Sequence, residues 1–92
     1  MSLGIGYYLK GQYSKAVKVL EDALSRNPDW AGNHIALAAA YAQLNRKDDA
    51  EREVKEVHRL DPFFEINNYG SAFRNQANRV KIVEGLLKAG LN

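Results

Sequence analysis

The chain lacks cysteine altogether, and its 92 residues include only two prolines, one methionine and one tryptophan. Without cysteine it can form neither a disulfide framework nor a thiolate metal site. No apolar run approaches the roughly 18 residues that a membrane helix needs, and no secretory signal is visible at the start. These absences predict a cytoplasmic protein without a membrane partner. The two prolines are the clearest signals of boundaries between secondary-structure elements.

The net charge is also small, at +2 with neutral histidines, which is too little to indicate a nucleic-acid partner. The positive excess lies near the C-terminus, where residues 66–92 hold four basic side chains against Glu84 alone. Short clusters of this kind are usually a solvated helix face. The alternative is a candidate basic patch, which consists of Arg74, Arg79, Lys81 and Lys88.

No arrangement of side chains predicts catalysis. His34 and His58 lie far apart in the sequence, on different predicted helices, and no acidic cluster joins either of them at the spacing of metal ligands. Gly4-Ile5-Gly6 lacks the preceding strand and the third glycine of a phosphate-binding loop. The sequence therefore predicts no catalytic, cofactor-binding or metal-binding residue, and it predicts a buried structural role for His34.

What the chain does contain is an internal repeat. The shift along the sequence that aligns Pro28 with Pro62 also aligns Tyr7 with Tyr41, Gly11 with Asn45, and Ala16 with Ala50. This shift falls within the range of about 20–50 residues in which a fixed period indicates stacked supersecondary units. Such units present binding surfaces more often than they perform chemistry.

The apolar spacing within this period predicts five helices, near residues 3–10, 13–26, 31–44, 47–60 and 75–89. Gly11 and Asn45 each separate two helices, and both residue types tolerate the positive φ of a tight turn. Asn75 is a suitable N-cap for the last helix and Gly90 a suitable stop. Gly85, inside that helix, predicts close packing against another backbone.

The last helix is predicted to cover the end of the stack, because a repeat array must shield its apolar end from water. Its expected contact is the 47–60 helix, through Val80, Val83 and Leu87. Three aromatic residues lie beside the two prolines, and large aromatic side chains are usually buried. We therefore expect these three to pack between repeats, the alternative being that they are exposed anchors for a partner: Trp30, Phe63 and Phe64.

The pattern resembles the tetratricopeptide repeat, a helix–turn–helix unit with the same period. The unit at 31–64 is complete and carries residues typical of the family: Leu37, Ala38, Tyr41, Asn45, Ala50, Val54, Val57 and Pro62. A truncated first unit covers 3–30, a linker 65–74 and a capping helix 75–92, so residues 1–92 form one domain. The resemblance implies an all-α superhelix with about two helix–turn–helix repeats and a C-terminal capping helix.

The resemblance also implies a protein or peptide partner bound on the concave face, which the first helix of each unit lines. In the complete unit this candidate peptide groove comprises Gly32, Ile35, Ala39, Ala42 and Gln43. Repeats that bind acidic chaperone C-termini carry lysine and asparagine where Ile35, Ala36 and Ala39 stand here. The small apolar groove therefore suits an amphipathic helix better than an acidic peptide.

The C-terminal segment is similar to the ending of bacterial class III adenylate or guanylate cyclases that carry these repeats. The similar residues are Phe73-Arg74-Asn75-Gln76-Ala77-Asn78-Arg79 and the run from Glu84 to Leu91. This implies a regulatory part of a larger signalling protein, packed on its own catalytic domain. The alternatives are the sensor half of a transcriptional regulator, or a dimerisation element, since a flank with Ile5, Tyr7, Tyr8 and Leu9 predicts a homodimer.

Overall fold

The computed structural model describes residues 3–70 and 73–91, and this part of the chain is helical without a strand. The helices are α1 (Leu3–Leu9), α2 (Tyr13–Arg26), α3 (Ala31–Gln43), α4 (Lys47–Leu60), α5 (Ile66–Gly70) and α6 (Gln76–Ala89). The prediction of an all-α repeat fold is confirmed, and the five predicted helices are present. Within the predicted linker 65–74, α5 is an additional short helix, while residues 71 and 72 lie outside the described part.

Three helices end in the same type of turn. Gly11, Asn45 and Gly90 have φ values of 78°, 60° and 99°. The next residue in each case donates its N–H to a carbonyl five residues back, at 2.9 Å in all three turns. This is the hydrogen bond of a Schellman motif, which needs a left-handed residue after the helix. The turns at Gly11 and Asn45 are thus equivalent, as the repeat predicted.

The core is built around α3, which packs against α2, α4 and α6. Nine consecutive residues of α3, from His34 to Ala42, are buried. A helix that is apolar on every face requires neighbours on every face, and its alanines allow those neighbours to come close. By contrast, α2 and α4 bury one stripe each and expose their charged side chains.

The placement of α6 differs from the prediction. It packs mainly on α3, with further contacts to α5, α4 and α1, rather than covering α4. Val80 and Leu87, which were expected to be buried, are 48% and 55% exposed. The buried face instead contains residues at i, i+3, i+4 and i+7, namely Ile82, Gly85, Leu86 and Ala89. This face is the buried one because its two small residues let the helices approach more closely than valine at those positions would.

The contact at Gly85 confirms that an interior glycine marks close packing. A methyl group there would collide with the Tyr8 hydroxyl and would lie 2.9 Å from Ala39 Cβ. The N-terminus of α6 is also as predicted, since the Asn75 side chain accepts a hydrogen bond from Asn78 N at 3.1 Å. Local capping therefore fixes where α6 begins, and the glycine fixes where it docks.

Candidate functional site

The concave face of the stack is occupied by α6. The helices α1 and α3 open their repeat units, and α6 lies against both of them. Ala39, at the centre of the predicted peptide groove, is fully buried beneath Gly85. The predicted groove face is therefore covered in this structure, because alanines on a helix face are more stable when an apolar helix covers them. Binding of a partner peptide at this face stays a prediction.

The remaining groove residues have separate environments. Ile35 and Ala42 are buried, Ile35 beside the α4–α5 turn and Ala42 beside Lys88 of α6. Gly32 lies under the indole of Trp30, which a methyl group at Gly32 would strike. The side chain of Gln43 reaches toward α1. The five positions thus line α3 along its length and do not form one continuous groove.

Tyr8 connects α1, α3 and α6. Its hydroxyl donates to the backbone oxygen of Lys81 at 2.7 Å and accepts from Gln43 Nε2 at 3.2 Å. Burial raises the pKa of Tyr8 to about 12, which keeps the hydroxyl protonated as a donor. Lys81 Nζ in turn donates to the backbone oxygen of Leu9 at 3.1 Å. These polar contacts fix the position of α6 along the apolar face of α3.

The predicted basic patch is divided by similar contacts. Lys81 is bound to α1 as described, and Arg79 donates to the backbone oxygen of Phe73 at 3.0 Å. Both side chains thus take part in holding the C-terminal segment together. Arg74 and Lys88 are exposed, and Lys88 lines a shallow pocket with Asn45. The four residues thus do not act as one cluster, and the candidate basic patch stays a prediction.

His34 and Glu53 form a buried pair between α3 and α4, with 4% and 6% of their surfaces exposed. His34 Nδ1 lies 2.7 Å from Glu53 Oε1. Its Nε2 lies 2.8 Å from the backbone oxygen of Pro28. A carbonyl only accepts, so Nε2 carries a proton. The predicted structural role of His34 is confirmed, and the pair joins α3, α4 and the turn before α3.

Glu53 is the residue that sequence reasoning missed, because glutamate is rarely buried without a partner. Its spacing offered a signal: Ala50, Glu53 and Val57 share one face of α4, and all three are buried. A carboxylate on that face, opposite a buried histidine, indicates a pair. The charged residues beside it, such as Arg52 and Lys55, are exposed as expected.

The aromatic residues near the prolines are more exposed than predicted. Trp30 is 64% exposed and Phe63 is 89% exposed, so the expectation that they pack between repeats is wrong. Phe63 lies in a turn in which Asp61 Oδ1 accepts its backbone N–H at 3.3 Å, and the short α5 that follows does not cover its ring. Phe64 is half-buried, with its ring centroid 6.0 Å from that of Tyr69.

A groove of about 380 Å³ lies between α3 and the turn before α5. We call it the aromatic groove. Its apolar lining is Ile35, Phe63, Phe64 and Tyr69, and its polar lining is Asp61, Glu65 and Asn68. Among residues 3–70 and 73–91, neither carboxylate lies in an ion pair. The groove therefore combines exposed aromatic surface with uncompensated negative charge.

Two features are not found in the described ranges: a metal site and a membrane-spanning helix. No group of His, Asp or Glu side chains there could hold a metal ion. No helix there has the length and hydropathy to cross a membrane.

Antiparallel helix pairs with identical turns, stacked at a constant period, define an α-helical repeat protein. The family is the tetratricopeptide repeat, whose model matches residues 7–66, so the chain belongs to it. Repeats of this family are non-catalytic interaction modules. The resemblance of the C-terminal segment to nucleotide cyclases is not shown by these comparisons.

One curated relative is lipopolysaccharide assembly protein B of Haemophilus influenzae (strain ATCC 51907 / DSM 11121 / KW20 / Rd). It is 46% identical over 44 residues, which are 47% of this chain and 11% of that protein. The chain thus spans only a small part of the relative's length. No solved structure matches the chain.

Proposed function

We propose that this chain is a protein-binding module whose concave face receives an amphipathic helix of a partner, in the place that α6 takes here. The observation that carries the proposal is the face of α1 and α3 that α6 covers, which we call the seat of α6. A helix lies on the small residues of α3, with Gly85 against Ala39 and with Leu86 fully buried. The face is therefore shaped for a helix.

The contacts of α6 indicate which partner helix would fit. A small residue is needed where the two helices approach most closely, and large apolar residues on either side of it fill the flanks. In α6 these are Gly85, Ile82 and Leu86. A basic residue near the N-terminal end would bind the backbone oxygen of Leu9, as Lys81 does. The partner is thus an amphipathic helix with a small residue at its centre.

Peptide exchange tests this proposal. The probe is a fluorescein-labelled synthetic peptide of residues 75–91, added to the chain carrying Leu86→Ala, which weakens the seat of the resident helix. We expect saturable binding by fluorescence anisotropy, and a higher melting temperature, because binding to the folded state stabilises it. The matched control is the same peptide with Gly85→Leu, which cannot approach Ala39. Equal binding of both peptides, or of neither, would contradict the proposal.

That the chain is part of a larger protein is a separate proposal. The similarity of the C-terminal segment to cyclase endings supports a signalling protein, either a nucleotide cyclase or a transcriptional regulator. The relative named in lipopolysaccharide assembly supports an assembly factor instead, but the match covers only 11% of that protein. The native reading frame upstream of Met1 would distinguish these proposals, because they predict different upstream sequences: a cyclase domain, a DNA-binding domain or further repeats.

Self-association through α1 is a further proposal. Leu3 is exposed, while Ile5, Tyr7 and Leu9 are half-buried, so this flank retains apolar surface that a second copy could cover. Tyr8 does not contribute, because it is buried beneath α6. Sedimentation velocity tests this proposal: Leu3→Glu should shift a dimer to monomer, whereas a chain that is monomeric at high micromolar concentration would contradict it.

A further inference from the structure

The aromatic groove lies outside the seat of α6 and has no role in the function proposed above. Phe63 is the most exposed large apolar side chain of the described residues. It lies at the mouth of a groove whose walls are Ile35, Phe64 and Tyr69 and whose rim carries the carboxylates of Asp61 and Glu65. An exposed phenylalanine ring beside two carboxylates requires an explanation in terms of what could bind there.

The charges around the groove select the class of ligand. Asp61 accepts the N–H of Phe63 at 3.3 Å, and Glu65 accepts from Asn68 Nδ2 at 3.3 Å. Neither contact neutralises its carboxylate. Arg59, which precedes Asp61 by two residues, is engaged with Glu56 at 3.0 Å and with Asp29 at 3.5 Å. Arg79 of α6, which packs beside α5, donates to the backbone oxygen of Phe73 at 3.0 Å and not to a groove carboxylate. Among the described residues, the two groove carboxylates therefore have no cation paired with them.

A purely apolar ligand would bury these carboxylates without a counter-charge, which is costly. A cationic side chain would avoid that cost, because its aliphatic stem can lie on the apolar walls while its charged end remains at the rim. Its cation would also be attracted to the face of an aromatic ring. Arginine suits this arrangement better than lysine, since its planar guanidinium stacks on rings and binds carboxylates through two parallel hydrogen bonds.

We infer that the aromatic groove is a second binding site, which takes an arginine side chain from a partner segment. The stem lies against Ile35 and Phe64, and the guanidinium stacks on Phe63 and pairs with Glu65. Because this site and the seat of α6 lie on different parts of α3, a partner can use either one alone.

The probe for this site is a pentapeptide with arginine between two leucines, blocked at both ends so that neither terminus is charged. Its twin contains citrulline in place of arginine. Citrulline keeps the shape of the side chain and removes its charge. In two-dimensional NMR of the ¹⁵N-labelled chain, we expect saturable shifts at the amides of Phe63, Phe64 and Glu65. The citrulline peptide should bind about tenfold more weakly, which corresponds to one lost charge-assisted contact. Added salt should weaken only the arginine peptide.

Two exposed positions provide variants that should leave the fold unchanged. Phe63→Ala and Glu65→Gln should each weaken binding of the arginine peptide, and an unchanged circular dichroism melting curve checks the fold. Leu87→Ala removes another exposed apolar side chain, from α6, and should leave binding unaltered. Peptide exchange at α6 should be unaffected by Phe63→Ala, so failure at one site is distinguishable from failure at the other.

Three results would overturn the inference. Equal affinity of the arginine and citrulline peptides would show that charge does not select the ligand. Absence of saturable shifts at millimolar peptide would show that the groove binds no such side chain. Shifts of Phe63 that depend on protein concentration without peptide, and vanish with Arg74→Gln, would show that a second copy is the occupant.

Discussion

Replacing Gly85 with alanine should destabilise this protein, although alanine is the better helix former. Gly85 lies inside α6, where the change to alanine alone would favour the helix by about 1 kcal/mol. The new methyl group, however, would collide with the Tyr8 hydroxyl and lie 2.9 Å from Ala39 Cβ. The sign of the result therefore reports whether α6 lies where the structure places it.

The opposing terms can be compared. Overpacking of a well-filled core costs about 1–3 kcal/mol. Tyr8 must move away from the backbone oxygen of Lys81, and loss of this 2.7 Å hydrogen bond costs about 0.5–1.5 kcal/mol more. After subtraction of the helix term, we expect a net loss of about 2 kcal/mol. For a domain of this size that lowers the melting temperature by roughly 8–16 °C.

Gly6→Ala is the matched control, because Gly6 also lies inside a helix but a methyl group there meets nothing within 4 Å. This variant should be neutral or more stable by up to about 1 kcal/mol. A second control is Tyr8→Phe, which removes the colliding oxygen. In that background Gly85→Ala should cost less, as a double-mutant cycle would measure. If urea unfolding gave both glycine variants the same stabilising sign, the proposed docking of α6 on α1 and α3 would be refuted.

Three further predictions follow from the burial of particular side chains. Leu20→Ala should lower the free energy of unfolding in urea by about 2–5 kcal/mol, because Leu20 is buried. Lys55→Ala on the exposed face should lower it by less than about 0.5 kcal/mol, and equal losses would contradict the assigned faces. His34→Ala should cost about 3–5 kcal/mol, because Glu53 would stay buried with only Arg52 Nε, 3.9 Å away, as a counter-charge, and the double variant with Glu53→Ala should cost less than the sum of the two single variants. Burial raises the pKa of Tyr69 to about 12, so the folded chain holds this proton more tightly than the unfolded chain, in which tyrosine titrates near about 10. The contribution of Tyr69 to the free energy of unfolding should therefore be fully present below about pH 10 and decline as the pH rises toward 12. Thermal melts across this range should show a smaller decline for Tyr69→Phe.

The features that sequence reasoning predicted correctly are those with a local cause. Gly11 and Asn45 mark the turns because few other residues tolerate positive φ. Asn75 marks the start of α6 because its side chain can bind a free backbone N–H. Pro28 and Pro62 give the period. None of these features requires knowledge of a distant contact.

The features that were mispredicted depend on tertiary contacts. Val80 and Leu87 suit an apolar stripe as well as Ile82 and Leu86 do, and only the docking of Gly85 on Ala39 decides between the two faces. A glycine in a helix contributes nothing to an apolar pattern, although here it determines the interface. In the same way, the residues of the candidate groove on α3 did not show that α6 would cover them.

The seat of α6 also sets the affinity that an external helix must have. A helix tethered by a short linker acts at an effective concentration of about millimolar, and release of α6 would expose Ile82, Leu86 and Leu91, which are fully buried. Because a partner helix of the proposed kind would bind only the fraction of molecules in which the seat is vacant, its apparent affinity would be reduced by that fraction. A ligand that merely reproduces the contacts of α6 would therefore bind weakly. A partner helix of the proposed kind would bind more tightly if it also made contacts outside the seat, and the aromatic groove would offer such a contact on the same central helix.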